Sequence, residues 1–250
     1  MTTGKKTSNA FLIAANLVPL IGVLFFGWDG KGIIVVYILE TVIIGILNAL
    51  KMLTVYLVNG TKNEEEEKSE FTQGVSGLGL IPFFLFHYNF FIFVQSVLFF
   101  AFSSMWESIG KGPEPFNVIA NFSLYINSDT LLALGSLLMA NLIYVADDFI
   151  FSEKYKTASM QSLMMAPYKR IFLQQFLVIL GGFIFMLTGG ISFVMGLFVV
   201  LKIIADYLSA NYGNNPKVTS WITKNVKGKN GKELSDEEKK MVENMFGRGK

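Results

Sequence analysis

Six long apolar runs interrupt this 250-residue chain, and they leave 19 of its 21 Lys and Arg residues on one side of any membrane they cross. A hydrocarbon core of about 30 Å takes about 20 residues of helix. Runs at 9–26, 33–58, 77–102, 129–150, 170–188 and 190–208 meet that length. A composition that is 52% apolar and 16% charged is too greasy for a soluble domain. The sequence therefore predicts an all-α fold, a polytopic integral membrane bundle of six transmembrane helices over 9–208. A short tail at 1–8 precedes it and a basic tail at 209–250 follows. Lys5 and Lys6 stand before the first run as in a signal peptide. Gly27, Trp28, Asp29 and Gly30 follow it, however, in place of a small-x-small cleavage site, so the run is read as an uncleaved span.

Short connections rich in Lys and Arg stay cytoplasmic. With the amino terminus inside, Lys51, Lys62, Lys68, Lys154, Lys156, Lys169, Arg170, Lys202 and nine basic residues of the tail join Lys5 and Lys6 there, against Lys31 and Lys111 outside. Both termini are thus expected to be cytoplasmic, in a multi-pass protein of the cell (inner) membrane. Trp28 and Trp106 then fall at the outer interface, where amphipathic rings are favoured. The lipid bilayer is the expected partner. Nucleic acid is not, because the net charge of +2 is small and its excess lies in the tail. With no cysteine, disulfides, thiolate metal sites and cysteine nucleophiles are excluded.

The connections carry their own signals. The Glu-rich segment 62–70 reads as a solvated loop. Gly110, Gly112, Pro113 and Pro115 make the 103–128 connection irregular, with a short interfacial turn near 116–125. In the tail, Ser235-Asp-Glu-Glu238 is a capping-box signature ahead of Met241, Val242, Met245 and Phe246, which share one helical stripe. That amphipathic helix is expected to contact anionic lipid, with a cytoplasmic partner as the alternative. A homo-oligomer or a membrane partner is compatible with the same reading.

A charge facing lipid costs about 2.5–3.5 kcal/mol on insertion scales, so ionisable residues within spans face the bundle interior and mark function. At about 100° per residue, Glu40, Asn48 and Lys51 share a face of the second run. The only histidine, His87, lies mid-way along the third run, with Gln95 on its side. Asn141, Tyr144 and Asp148 form a stripe on the fourth. Gln174 and Gln175 stand near the start of the fifth, and Lys202 and Asp206 lie one turn apart on the sixth. Taken by depth, Glu40, Asn48, His87, Asn141, Gln175, Lys202 and Asp206 make a stepped polar path of the kind that relays protons. Lys202 with Asp206 also reads as an interfacial ion pair, and Asp147 and Asp148 as headgroup-level residues. Glu40 is expected to lack a basic neighbour in its half of the bilayer and to stand as a neutral, proton-carrying acid.

The chain holds no His-Glu-x-x-His segment, Gly-x-Ser-x-Gly turn or Walker loop, so zinc proteolysis, serine hydrolysis and ATP-driven work have no residues to carry them. The Gly181-Gly182 and Gly189-Gly190 pairs predict that the fifth and sixth helices pack as a tight antiparallel pair.

With these residues in view, the chain resembles a prokaryotic domain-of-unknown-function family of polytopic membrane proteins. The resemblance is carried by Asn16-Leu-Val-Pro-Leu-Ile-Gly22, Tyr37-Ile-Leu-Glu-Thr-Val-Ile-Ile-Gly45, Phe84-Leu-Phe-His-Tyr-Asn-Phe-Phe91, Pro167-Tyr-Lys-Arg-Ile171 with Leu180-Gly-Gly182, and Leu201-Lys-Ile-Ile-Ala-Asp206. It implies further histidines at the positions where this chain holds Asn141 and Gln175, and with Glu40, His87 and Asp206 an intramembrane metal or proton site. Here both positions are amides. The function expected is a non-enzymatic path or sensor for protons or a small solute, built on Glu40 and His87, with no cofactor. One alternative is a membrane-embedded metal-binding protein or enzyme that holds a divalent metal through Glu40, His87 and Asp206. Another is a structural subunit of a membrane complex.

Overall fold

The computed structural model describes residues 2–60, 77–105, 112–168, 170–172, 174–176 and 179–180. Every regular element among them is helical. Contacts divide the chain into two units, Met1–Ile203 and Ile204–Lys250, and the described residues all belong to the first. The Glu-rich connection, Trp106, the glycine pairs, Lys202, Asp206 and the tail helix lie outside the described residues.

Helices α2, α5 and α6 start where a side chain caps their orphan amides. Helix α1, Thr2–Phe25, runs through Pro19, which removes one backbone donor. Helix α2, Gly30–Asn59, is capped by the Asp29 carboxylate, which accepts from the backbone N–H of Lys31 at 3.1 Å and of Gly32 at 3.0 Å. Helix α3, Leu80–Met105, follows a short 3₁₀ turn at Gly77–Gly79. The interfacial turn expected at 116–125 is a seven-residue helix, α4, Val118–Leu124, whose flank sets Phe122 and Tyr125 against Phe100. Asn127 and Thr130 form a capping box that opens α5, Ser128–Val145, and α5 widens into a π turn at Ala146–Phe151. Ser159 caps the short α6, Met160–Met165, through the backbone N–H of Ser162.

Three helical stretches, Gly30–Asn59, Gly77–Ser104 and Ser128–Phe151, are long and apolar enough to cross a membrane, and α1 adds the shorter apolar stretch Ala14–Phe25. Helix α2 is the axis of the bundle: α3, α5 and α6 all pack on it, while α1 packs on α5. Inward positions on α3 recur at helical spacing, with Phe84, Tyr88, Ile92, Ser96, Phe99 and Ser103 all buried. The opposite faces expose Phe86, Phe90, Leu50, Leu57, Leu131 and Leu132, an apolar exterior suited to lipid and unsuited to water. Gly45 lets α3 come close to α2, since a Cβ there would lie 2.6 Å from the Tyr88 ring.

The segment read as a cytoplasmic connection at 151–169 departs most from expectation. Asn59 donates to the Tyr155 carbonyl at 2.7 Å, Asn48 to the Leu163 carbonyl at 2.8 Å, and Thr41 to the Gln174 side chain at 2.7 Å. At 1.5 Å per residue these rungs climb about 27 Å along α2. Residues 155–174 therefore already run up the side of α2, and the rise begins well before residue 170. The climb is a broken helix. Helix α6 stops ahead of Pro167, and the described residues from Tyr168 to residue 180 are helical again. Pro167 lacks an amide hydrogen, so it cannot donate back to a carbonyl of α6.

A buried ion pair at a helix break

Just past the break, the first turn of the new helix brings Arg170 beside Glu40. The Arg170 Nη2 donates to Glu40 Oε2 at 2.5 Å, with side-chain exposures of 13% and 1%. Asn141 on α5 donates its Nδ2 to the other carboxylate oxygen, Oε1, at 3.0 Å, and to the Leu137 carbonyl at 2.8 Å. Three helices thus meet on one carboxylate. Two sequence expectations are corrected here. Glu40 has a basic partner, so it is one half of an ion pair and no isolated neutral acid. Arg170 is not a charge at the end of the fifth run, because it lies level with Glu40, 19 residues along α2 from Asn59. Physically, the segment that climbs α2 from Tyr155 carries Arg170 to the level of Glu40, and a guanidinium that finds a carboxylate has no need to snorkel.

A second layer adjoins the pair. The Thr41 hydroxyl donates to Gln174 Oε1 and lies 2.9 Å from the Tyr37 carbonyl, while the Tyr88 hydroxyl donates to the Thr41 carbonyl at 3.3 Å. Tyr37, Thr41, Tyr88 and Gln174 are all buried. Gln174 is 1% exposed, and its Nε2 has no hydrogen-bond partner among the described residues. On the far side of Tyr88, the half-buried His87 sets its Nδ1 2.8 Å from the Tyr168 hydroxyl and is boxed by Phe83, Phe91 and Tyr168. Tyr168 lies two residues before Arg170, so the histidine touches the same first turn.

The remaining polar positions separate from this cluster. Asn48 anchors the backbone of α6 at Leu163. Gln175 is half-buried with Oε1 unpartnered among the described residues, so Gln174 and not its neighbour enters the network. Lys51 lies 5.5 Å from the Phe149 ring centre and 6.0 Å from that of Tyr144. At the π turn, Asp148 pairs with Lys154 at 2.5 Å. Among the described residues no three His, Asp or Glu side chains gather as a metal site. Glu40 and His87 are each engaged by another side chain, and Asp206 lies outside the described residues.

Sequence reasoning placed Glu40, Asn48 and Asn141 on inward faces and missed Arg170, Thr41, Tyr88 and Tyr168. One signal was available: Arg170 and Gln174 are a turn apart on one helix face, immediately after a proline.

A helical protein with three helices among the described residues long and apolar enough to cross a membrane, and a largely buried charged pair, is the class that fold and site define. Within that class the chain belongs to the Family of unknown function (DUF6498), which it matches over residues 1–230. No curated protein and no solved structure matches it.

Proposed function

We propose that this is a multi-pass protein of the cell membrane, with six spans and both termini cytoplasmic, whose Glu40–Arg170 pair is the working element of a path or sensor for protons or a small solute. One observation carries the reading: a buried carboxylate paired with a largely buried guanidinium lies beside a helix interrupted at bundle depth. Ionisable residues in spans mark ion and solute pathways, and membrane carriers place interrupted helices at their binding sites. A purely structural pair gains little, since a buried ion pair is commonly matched by apolar packing. His87 is the natural second element, because its Nδ1 meets the Tyr168 hydroxyl and holds the turn that carries Arg170.

Collapse of a pH gradient across proteoliposomes tests this reading. Wild-type protein is expected to dissipate the gradient, Glu40→Gln to lower the rate at least about tenfold, and His87→Ala to lower it less. Full activity in Glu40→Gln contradicts it.

A further inference from the structure

We propose that the end of the bundle where α2 stops carries a binding site for the phosphate of an anionic lipid headgroup, formed by Lys51 and Lys154. The site stands about three turns along α2 from Glu40 and does not depend on the path reading. The 30 residues of α2 extend for about 45 Å, the thickness of a bilayer with its polar regions, and Lys51 lies about 12 Å short of the Asn59 end. Its backbone is therefore near the edge of the hydrocarbon, and its stem is long enough to carry the ammonium to headgroup level.

The half-buried Lys51 ammonium rests against two aromatic faces, Phe149 at 5.5 Å and Tyr144 at 6.0 Å, and no oxygen among the described residues accepts a hydrogen bond from it. An ammonium carries three donors. The carboxylate nearby is Asp148, and it is already committed: Lys154 holds it at 2.5 Å, and the Tyr144 hydroxyl stands beside it. Asp148 and Lys154 are the main charges acting on Lys51, so two ammoniums share one carboxylate. Of the other acids on this turn, Glu153 is taken by Lys156 at 2.7 Å, and Asp147 is not among the main charges acting on Lys51. A phosphodiester supplies what is missing, one negative charge to balance the second ammonium and free oxygens to accept from it. Basic pockets between spanning helices at headgroup level are where anionic lipids bind. The rest of the turn favours a lipid over free phosphate, because Ile150 and Phe151 are 52% and 75% exposed and offer apolar surface for acyl chains to cover.

The test is titration of the purified full-length protein, in a neutral detergent, with phosphatidylglycerol or with phosphatidylcholine of the same chains, bound lipids being counted by native mass spectrometry. Wild type is expected to bind phosphatidylglycerol the more tightly; equal binding of the two overturns the proposal. Lys51→Met should weaken phosphatidylglycerol binding about fivefold, the weight of one lysine at a membrane surface. Lys154→Met should weaken it further, since it removes one ammonium and turns Asp148 onto the other. Asp148→Asn should tighten binding about fivefold by removing the competing carboxylate. Lys156→Met, at an exposed pair on the same turn, should leave binding unchanged. Binding by the basic residues of the tail is common to all four variants and cancels in the comparison. Wild-type affinity in Lys51→Met, or an equal loss in Lys156→Met, overturns the proposal. Where Lys51→Met fails to fold, Asp148→Asn decides, and absence of a gain there overturns it. Inorganic phosphate at matched ionic strength should not displace the lipid; full displacement would assign the site to free phosphate and overturn the lipid.

Discussion

Two acid–base pairs of the same length sit at two interruptions of helical structure, and they differ in almost everything else. At Pro167, Glu40 and Arg170 meet at 2.5 Å with side-chain exposures of 1% and 13%. At the π turn, Asp148 and Lys154 also meet at 2.5 Å, with exposures of 15% and 44%. Length does not measure what an ion pair contributes. In the first case the carboxylate is cut off from water and the guanidinium nearly so, so separating them is costly. In the second the lysine keeps its solvent, and the attraction is screened and offset by side-chain ordering.

That contrast is open to breaking, beginning where the effect should be largest. Arg170→Gln, which strands the Glu40 carboxylate, should destabilise the protein by about 3–5 kcal/mol, read by reversible unfolding in mixed micelles. A loss below about 1 kcal/mol would mean that water reaches Glu40. Gly45→Ala places a Cβ 2.6 Å from the Tyr88 ring and should cost about 1–3 kcal/mol through overpacking. It should also slacken the layer at Thr41, and wild-type stability would mean that α2 and α3 are not in contact there. Asn141→Leu, which removes a neutral donor from the same carboxylate, should cost about 0.6–1.7 kcal/mol, the range of hydrogen bonds between membrane helices. Lys154→Met, at the exposed pair, should change stability by about 0–1 kcal/mol, and the difference should shrink as salt is added.

The two sites were unequally legible in the sequence for a physical reason. Run length is a robust signal, and the second, third and fourth runs correspond to the three helices long enough to span a membrane. The inward placement of Glu40 and Asn141 followed from helical periodicity, which the structure joins in one hydrogen bond. Arg170 did not follow. An arginine at the edge of an apolar run is ordinarily read as reaching for the headgroups, and periodicity along one helix says nothing about a partner 130 residues away. The climb that carries it to Glu40 depends on what packs beside the chain. Adjacent glutamines were equally ambiguous: at about 100° per residue Gln174 and Gln175 point apart, and only tertiary packing decides which of them meets Thr41.

The central claim is that Glu40 and Arg170 depend on one another inside the bundle, and a double-mutant cycle tests it most directly. Glu40→Gln, Arg170→Gln and the double variant would be compared by reversible unfolding, with Asp148→Asn and Lys154→Gln as the parallel cycle. The expected result is a coupling of about 2–3 kcal/mol at the buried pair, with the double variant more stable than Arg170→Gln alone, against less than about 1 kcal/mol at the exposed pair. Additive losses at Glu40 and Arg170 would contradict the account.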